Sequence, residues 1–380
     1  MAANLKALTR VHTLFETTLF PTVALGGHAS TRTGLFRLLP ADGTAWVQDT
    51  FPTYFQNAQG ASLPLGPHHE EFWHWVWALR PGYISPSFVA IWPRGGGKSA
   101  SVELGATCMG YYGLRRYGLY VSNTQSQADD HVANVATMLE HLGIERALNK
   151  YGFSRGWRIN RLRTADGFTL DAVGMDTAMR GIRLDESRPD CLCLDDLDDE
   201  HDTSATITKK ITTLTRKILP AGASSMTVLG VQNIPNTDGI FAQLVDGRAE
   251  FLLDRLVSGP HPALRDLPEQ GWYTHERTET GAQRIKIKAG TPTWVGQGIA
   301  ECEALIAKIG VSAFLVECQH QTASLTGTLF QRHWFPIVAD WPRAARQIRC
   351  WDLAGTEPST QHPDPDWTVG ARIAFQGGQY

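Results

Sequence analysis

The sequence lacks several features that would place it in a specialised class of protein. Its six cysteines form no C-x-x-C pair and no disulfide-like framework, which fits a reducing cytoplasm. The formal net charge of −3 argues against a protein held on nucleic acid by bulk charge. No apolar run reaches membrane-spanning length, and neither a signal peptide nor an internal repeat is recognisable. These absences indicate an ordinary globular chain with no membrane partner.

The sequence does contain enough apolar residues to build a large core. Hydrophobic residues occupy 42% of its 380 positions and charged residues 19%, which is typical of a folded chain of one or two domains. Residues 1–65 are rich in Thr, Pro and Gly and have weak periodicity, so we expect an N-terminal arm or cap there. The stretch HHEEFWHWVWALR then predicts a core helix.

Short apolar runs alternate with segments of helical spacing from SFVAI onward. SFVAI, YGLYVS, CLCLDDL and SMTVLGVQN predict four buried strands, and the segments between them predict helices. Strands that alternate with helices in this way predict an α/β fold with a parallel sheet and helices on both faces. We assign residues 66–322 to this domain.

The first predicted strand runs into WPRGGGKS, whose second half is typical of a phosphate-binding loop. The common pattern G-x-x-x-x-G-K-[ST] ends as Gly97, Lys98 and Ser99 do, although Trp92 replaces its first Gly. Glycines let backbone N–H groups converge on phosphate oxygens, Lys98 would reach the outer phosphates, and Ser99 would ligate Mg²⁺. The alternative is a structural Gly turn at a helix start. The predicted nucleotide-binding residues of the loop are Pro93, Arg94, Gly95, Gly96, Gly97, Lys98, Ser99 and Ala100.

Two acidic residues follow the third predicted strand. Asp195 ends the apolar run CLCL, and Asp196 comes directly after it. A P-loop NTPase needs one carboxylate to hold Mg²⁺ and usually a second acid to orient the attacking water. We therefore predict Asp195 as the Mg²⁺ ligand and Asp196 as the catalytic acid. The acids that follow, Asp198, Asp199, Glu200 and Asp202, are expected to be solvated.

The pattern changes after residue 322. Residues 323–342 have little periodicity and are expected to be a linker, and IRCWDLAGT and DWTVGARIAF predict two strands within residues 343–380. Because two strands are too few for a stable domain, we expect these residues to begin a second, incomplete domain.

The ordered set WPRGGGKS, RPDCLCLDDLDDE, TVLGVQN, RCWDLAGT and DPDWTVG resembles the large terminase subunit of tailed bacteriophages. Members of that family are ATP-driven DNA-packaging motors, with a P-loop ATPase domain of the RecA/ASCE-like class followed by an RNase H-like nuclease. The resemblance runs from about residue 68 to the end of the chain. It implies that residues 343–380 are the truncated start of the RNase H-like domain.

The resemblance also implies roles for residues of the ATPase domain. Large terminases resemble one another in a P-loop whose front half departs from the common pattern, often with an arginine where Arg94 stands, close to the γ-phosphate. Asp196 stands where the family commonly has Glu. Gln232 and Asn233 stand at its coupling motif, where Thr is frequent, and are expected either to sense phosphate or to cap a turn.

Two further sets of catalytic residues are implied. The segment MRGIRLDESRPD is expected to supply an arginine to a neighbouring subunit, with Arg180 or Arg183 as the candidates and a plain loop salt bridge as the open alternative. For the nuclease, Asp352 is expected to be the first metal-binding carboxylate, in the middle of its leading strand, and of Asp364 and Asp366 in the following loop one is expected either to assist or to form a turn.

The implied cofactors are ATP and Mg²⁺, with Mg²⁺ or Mn²⁺ for the nuclease. The implied partners are double-stranded DNA, a portal protein, a small terminase subunit and further copies of the chain in a ring. The expected location is the host cytoplasm, transiently on the procapsid and not in the mature virion. Two other classes remain open. A helicase-type P-loop ATPase would need a second RecA-like domain, and a nucleotide-binding scaffold would show no ATP turnover.

Overall fold

A computed structural model describes residues 37–57, 59–149, 151–153, 157–177, 187–277, 281, 283–321, 346–353 and 368–375. The chain divides into two compact units, Met1–Thr322 and Ala323–Tyr380. Within the described ranges, no helix combines the length and the apolar character needed to cross a membrane. The functional division into arm, ATPase domain, linker and nuclease start stays a prediction.

The first unit is built on a seven-stranded sheet. Its strands are β1 (Phe88–Ile91), β2 (Tyr117–Ser122), β3 (Arg161–Arg163), β4 (Thr169–Gly174), β5 (Cys191–Asp195), β6 (Thr227–Gln232) and β7 (Leu256–Ser258). They lie in the order β3-β4-β2-β5-β6-β1-β7. All pairs are parallel except β3 with β4 at one edge. The predicted α/β fold is confirmed, and β1, β2, β5 and β6 are the four predicted strands.

Helices cover both faces of this sheet. In the described part of the first unit they are α1 (Gly43–Thr50), α2 (Pro67–Ala78), α3 (Lys98–Tyr111), α4 (Gln125–His141), α5 (Ser204–Thr213), α6 (Ile240–Asp246) and α7 (Ile299–Gln319). Residues of α1 to α4 share one core cluster, to which α1 contributes the fully buried Val47. Residues of α6 and of the π-helical turn Leu214–Ile218 after α5 share the cluster on the opposite face.

Alternation along β5 decides which face its side chains occupy. Cys191 and Cys193 pack into the cluster of α3 and α4, whereas Leu192 and Leu194 pack into the cluster of α6. Successive side chains of a strand point to opposite faces, so Asp195 continues the first set and points toward α3 and α4. This direction brings Asp195 to the helix that follows the Gly-rich loop.

A smaller layer follows the sheet in sequence. It consists of β8 (Leu264–Arg265) paired with β11 (Thr291–Pro292), β9 (Tyr273–Arg277) paired with β10 (Gln283–Ile287), and α7. Trp272, Ile285 and Phe314 belong to its apolar core. Gly310 interrupts α7 with a left-handed φ of 84°, which a residue without a side chain adopts easily. The last turn of α7 contacts the Gly-rich loop, where the N–H of Arg94 donates to the carbonyl of Glu317 at 2.9 Å.

The described part of the second unit is one antiparallel hairpin. Its strands are β12 (Arg346–Asp352) and β13 (Val369–Phe375), with Asp352 opposite Val369. Asp352 is the last residue of β12 and is exposed, whereas we expected it in the middle of a strand. The hairpin agrees with the two predicted strands, and its membership of an RNase H-like domain stays a prediction.

Candidate functional site

A polar cavity of about 430 Å³ lies where β1, β5 and β6 end. The carboxyl ends of parallel strands are where ligands bind in open α/β sheets. Because β6 lies between β1 and β5, the Gly-rich loop and the acids after β5 meet across one strand. The cavity is lined by Arg94, Gly95, Lys98, Ser99, Asp196, Asp198, Asp199, Glu200, Asn233, Pro235 and Glu317.

The loop after β1 has a backbone suited to binding an anion. Gly95 and Gly97 have left-handed φ values of 84° and 79°, and α3 begins directly after Gly97. Successive turns of this kind make neighbouring N–H groups converge, and a helix N-terminus adds positive potential. A Cβ on Gly97 would also lie 3.1 Å from the ring of His69. A glycine is therefore needed at position 97 both by the backbone turn and by the close approach of His69.

Lys98 is half-buried and faces the cavity. Its ammonium donates to the carbonyl of Pro93 at 3.2 Å, across the loop. Burial lowers the pKa of Lys98, while the nearby carboxylates of Asp196, Asp195 and Glu317 act in the opposite direction. An ammonium held by one carbonyl can be turned toward a phosphate at small cost, because a stronger acceptor replaces a weaker one.

Trp92 occupies the position of the missing first glycine. It is fully buried, and its backbone N–H donates to the carbonyl of Gln232 at 3.0 Å, which extends the pairing of β1 with β6. Its ring lies 4.7 Å from the ring of His68 and 5.2 Å from that of His69. The bulky residue thus fills the core beneath the loop.

His69 holds the loop from the buried side. Its Nδ1 accepts from the N–H of Gly66 at 3.1 Å, so the ring proton is on Nε2, which donates to the carbonyl of Gly96 at 3.0 Å. Burial lowers the pKa of His69 to about 4, which keeps the ring neutral. The sequence predicted only that α2 is a core helix, and the contact with Gly96 was missed.

Asp195 is fully buried at the end of β5. The hydroxyl of Tyr120 donates to its Oδ2 at 2.9 Å, and Nε2 of His131 lies 3.6 Å from the same oxygen. Glu103 binds the other ring nitrogen of His131 at 2.7 Å. Burial raises the pKa of Asp195, and the neighbouring His131, Tyr120 and Ser99 lower it in part. His131, Tyr120 and Glu103 were not predicted from the sequence.

The second carboxylate oxygen of Asp195 is available for a further ligand. Its Oδ1 is buried and has no hydrogen-bond partner among the residues that the structure describes. A buried carboxylate oxygen without a partner is costly, and Mg²⁺ takes one or two protein oxygens together with phosphate oxygens. Ser99, which lines the cavity, is close enough to lower the pKa of Asp195. The donor set of Asp195 and Ser99 therefore fits a hard divalent cation.

Two of the acids that follow β5 and line the cavity, Asp196 and Asp198, differ in their surroundings. Asp196 is exposed, lines the cavity and has a left-handed φ of 57°, which is uncommon for a residue with a side chain. Asp198 is buried, and its two oxygens accept from the N–H groups of Ile240 and Phe241 at 2.8 Å each, at the start of α6. Burial raises the pKa of Asp198 to about 6.

The expectation that Asp198 and Asp202 are solvated is wrong. Asp198 caps α6, and Asp202 forms an ion pair with Lys210 in which both side chains are largely buried. Strand-end acids can be recruited as helix caps because the first N–H groups of a helix lack partners. Asp199 and Glu200 are exposed as expected.

Gln232 and Asn233 have different surroundings at the tip of β6. The carbonyl oxygen of the Gln232 side chain accepts from the N–H groups of Leu197 at 2.8 Å and Asp198 at 3.1 Å, and its amide donates to the carbonyl of Asp198 at 2.8 Å. The structure does not bring this buried amide into the cavity and gives it the turn-capping role. Asn233 does line the cavity.

Glu317 was missed by the sequence analysis. Its Oε2 lies 3.1 Å from Nε of Arg94 and accepts from the amide of Asn233 at 3.1 Å. No motif surrounds Glu317, and α7 approaches the loop only in the folded chain. Arg94 is therefore an arginine with a carboxylate partner at the mouth of the cavity.

Several predicted residues lie elsewhere. Pro93 contributes its carbonyl to Lys98, and Ala100 is in the first turn of α3 and does not line the cavity. Arg180, Arg183 and Asp366 lie outside the described residues, so their roles stay predictions. Asp352 belongs to the second unit.

Comparison with known proteins finds similarity at the level of structure. No family model matches the chain, and no curated protein matches it. Among solved structures, the chain is similar to the crystal structure of the HK97 bacteriophage large terminase, with 11% identity and a TM-score of 0.37 over 58% of this chain and 44% of that one.

A second similar structure is the large terminase ATPase domain of Thermus phage P74-26. Its identity is 15% and its TM-score 0.29, over 41% of this chain and 62% of that one. The chain thus spans less than two thirds of either protein. A likeness of this degree describes a fold similar to that of large terminases and no more. An activity, a substrate or a partner can be inferred only from the residues of the cavity.

Proposed function

We propose that the chain hydrolyses ATP at the cavity between the Gly-rich loop and the end of β5. The observation that carries this proposal is the shared cavity itself. A loop with converging N–H groups, a lysine and a serine opens onto the same 430 Å³ as the acids that follow β5. The two motifs lie far apart in the sequence and meet only through the strand order.

Three sets of residues have separate roles in this reaction. The N–H groups of Gly95 and of Gly97, Lys98 and Ser99, together with the ammonium of Lys98, bind the phosphates, whereas the N–H of Gly96 donates to the carbonyl of Pro93 within the loop. Asp195 and Ser99 would hold Mg²⁺, which supplies Lewis-acid charge stabilisation when bound. Asp196 accepts a hydrogen bond from the attacking water and orients it, and its position on the cavity wall suits that task.

The larger role that we propose is that of a phage terminase large subunit. The support is the ordered set of motifs that resembles this family, together with the paired loop and acids. In this role ATP hydrolysis drives double-stranded DNA into a procapsid, with a portal protein, a small terminase subunit and a ring of identical subunits as partners. Arg180 or Arg183 of a neighbouring copy would stabilise the transferred charge, and Asp352 with Asp366 would serve the nuclease.

The first test is ATP binding and turnover by the wild-type chain and by Lys98→Ala and Asp196→Asn. Lys98→Ala removes the lysine of the loop, so we expect ATP affinity to fall at least about tenfold. Asp196→Asn keeps the shape and removes the acceptor, so ATP should bind normally while turnover falls about 100-fold or more. Glu301→Gln, an exposed change in the first turn of α7, is the control.

The outcomes separate the candidate functions. Near-normal affinity in Lys98→Ala would refute the phosphate-binding loop. Binding without turnover in the wild-type chain, with and without DNA, would indicate a nucleotide-binding scaffold. Turnover that double-stranded DNA and a portal ring stimulate would support the packaging motor.

A further inference from the structure

Asp195 is surrounded by residues that have no part in the function proposed above. Tyr120 on β2 and His131 on α4 both approach its Oδ2, with the hydroxyl of Tyr120 at 2.9 Å and Nε2 of His131 at 3.6 Å. The two rings stack on each other, with centroids 4.8 Å apart and planes inclined by 23°. Two separate elements of the fold therefore converge on one oxygen of this carboxylate.

Glu103 holds the ring of His131 from its other nitrogen. Oε1 of Glu103 lies 2.7 Å from Nδ1 of His131 and also accepts from the side-chain amide of Asn134 at 2.9 Å. The side chain of Glu103 is only 6% exposed and that of His131 18%, so the pair joins α3 to α4 with little contact with solvent. Because the ring cannot turn without breaking the bond to Glu103, Nε2 stays next to Asp195.

This arrangement makes the two oxygens of Asp195 different. Oδ2 faces two partners, whereas Oδ1 has no hydrogen-bond partner within the described ranges. A carboxylate that is held at one oxygen cannot rotate freely, so its other oxygen keeps a constant direction. Groups behind a metal ligand commonly fix its orientation in this way, and their loss typically lowers metal affinity or activity about 10-fold to 100-fold.

We propose that Glu103 and His131 are positioning residues for the binding of a divalent cation by Asp195. His131 holds Oδ2, Glu103 holds His131, and Oδ1 is thereby kept available to the ion. Neither positioning residue lines the cavity, so both act through Asp195 and not by contact with the nucleotide. The inference rests on the proposed ATP site, and it makes the affinity for the cation depend on α3 and α4.

The test is the contribution of Mg²⁺ to ADP affinity, which does not depend on turnover. Calorimetry gives the dissociation constant of ADP with EDTA and with Mg²⁺, and the ratio of the first to the second is the Mg²⁺ enhancement. His131→Phe keeps an aromatic ring against Tyr120 and removes both ring nitrogens. We expect the Mg²⁺ enhancement to fall about tenfold, while the affinity measured with EDTA stays unchanged. Binding of Mn²⁺ in the presence of ADP, followed by electron paramagnetic resonance, should weaken by a similar factor.

A double-mutant cycle tests whether Glu103 acts through His131. Glu103→Gln keeps an oxygen that can accept from Nδ1 and removes the charge, so the Mg²⁺ enhancement should fall about threefold. In the His131→Phe background the same substitution should have no further effect. Asp130→Asn, at the exposed position before His131, removes a negative charge from the same helix and should keep the wild-type enhancement.

A wild-type enhancement in His131→Phe would overturn the inference. An equal loss of ADP affinity with Mg²⁺ and with EDTA would also overturn it, because it would indicate a purely structural role. An effect of Glu103→Gln that persists without His131 would overturn the role of Glu103. Thermal unfolding identifies any variant that is not folded, and Glu103→Gln carries the test if His131→Phe is one of them.

Asp195→Asn distinguishes these failures from a failure of the proposed function. If that variant keeps the wild-type Mg²⁺ enhancement, the assignment of Asp195 as the cation ligand is wrong. If the wild-type chain binds no ADP, or binds it equally with Mg²⁺ and with EDTA, the proposed ATP site itself is refuted. Loss of the enhancement in Asp195→Asn with no loss in His131→Phe would refute the positioning role alone.

Discussion

The Gly-rich loop has one side that faces the core and one side that faces the cavity, and the side chains on these two sides are of different kinds. On the core side, His68, His69 and Trp92 are buried, and burial keeps both histidines neutral by lowering the pKa of His68 to about 2 and that of His69 to about 4. On the cavity side, Arg94 and Lys98 face acidic side chains. The core side has hydrogen bonds from neutral rings, and the cavity side has charged side chains.

Because of this difference, the core side determines the shape of the loop and the cavity side determines its affinity for an anion. The hydrogen bond from His69 directs the carbonyl of Gly96 toward the core, which leaves the neighbouring N–H groups to face the cavity. The charged groups of the cavity side then bind the ligand. Substitutions on the cavity side should therefore change chemistry at constant stability, whereas substitutions on the core side should change stability and affinity together.

The largest expected effect is that of Asp195→Asn, at the buried end of β5. The amide keeps the shape of the buried side chain and removes the anionic oxygen that a divalent cation needs, so turnover should fall about 100-fold or more. Stability should not fall, because burial already raises the pKa of Asp195 and so disfavours its charged form. Steady-state turnover and denaturant unfolding are the two measurements.

Asp198→Asn is the matched control, because Asp198 is also a buried carboxylate on the segment that follows β5. It caps α6 through two N–H groups, and asparagine can accept with only one oxygen. We expect it to lose about 1 kcal/mol of stability and to keep turnover within about threefold of the wild type. If Asp198→Asn is the variant that loses turnover, the assignment of the two acids is wrong.

The sequence predicted the parts of this arrangement that local pattern determines. The strands β1, β2, β5 and β6 are apolar runs, and the loop and the acids follow them directly. Strand β4 was missed because Asp171 interrupts its apolar run; the buried carboxylate is paired with Arg161 and accepts from the hydroxyl of Tyr117 at 2.7 Å. A partner on another strand neutralises the charge, and no local pattern shows that partner.

The missed residues of the site share the same cause. His69 and Gly96 are 27 positions apart in sequence, and Asn233 and Glu317 are 84 apart. Their roles depend on which helix end reaches the loop, which is a property of the packed chain. Asp196 and Asp198 likewise look alike in the sequence, because packing alone decides that Asp198 caps α6 and that Asp196 is exposed at the cavity.

An intermediate effect is expected from His69→Phe on the core side. Phenylalanine fills the space, leaves the N–H of Gly66 without its partner and leaves the carbonyl of Gly96 with only the longer contact to Nε2 of His68 at 3.4 Å, so the loop should lose part of its fixed shape. We expect ATP affinity to fall about tenfold and stability to fall by about 1–3 kcal/mol. His69→Gln, which can both accept and donate, should restore part of both losses. Equal affinity in all three proteins would show that the cavity side alone sets the shape of the loop.

The smallest expected effect is the pH dependence of stability that the core side creates. Burial lowers the pKa of His69 from the ordinary 6.5 to about 4. Below the ordinary value the unfolded chain takes up a proton that the folded chain refuses, so stability is fully present above the unfolded pKa and is lost as the pH falls toward the folded pKa. For one such group the loss between about pH 7 and pH 5.5 is about 1 kcal/mol.

Comparison of two variants isolates this contribution from those of all other titrating groups. His69→Phe has no ring to protonate at this position, so its free energy of unfolding should fall by about 1 kcal/mol less than that of the wild type between about pH 7 and pH 5.5. His74→Phe removes an imidazole from the exposed side of the same helix and serves as the control. Denaturant unfolding at several pH values measures the three slopes. Parallel curves for the wild type and His69→Phe would mean that His69 accepts its proton in the folded chain, in which case the neutral hydrogen bond to Gly96 could not be what holds the loop.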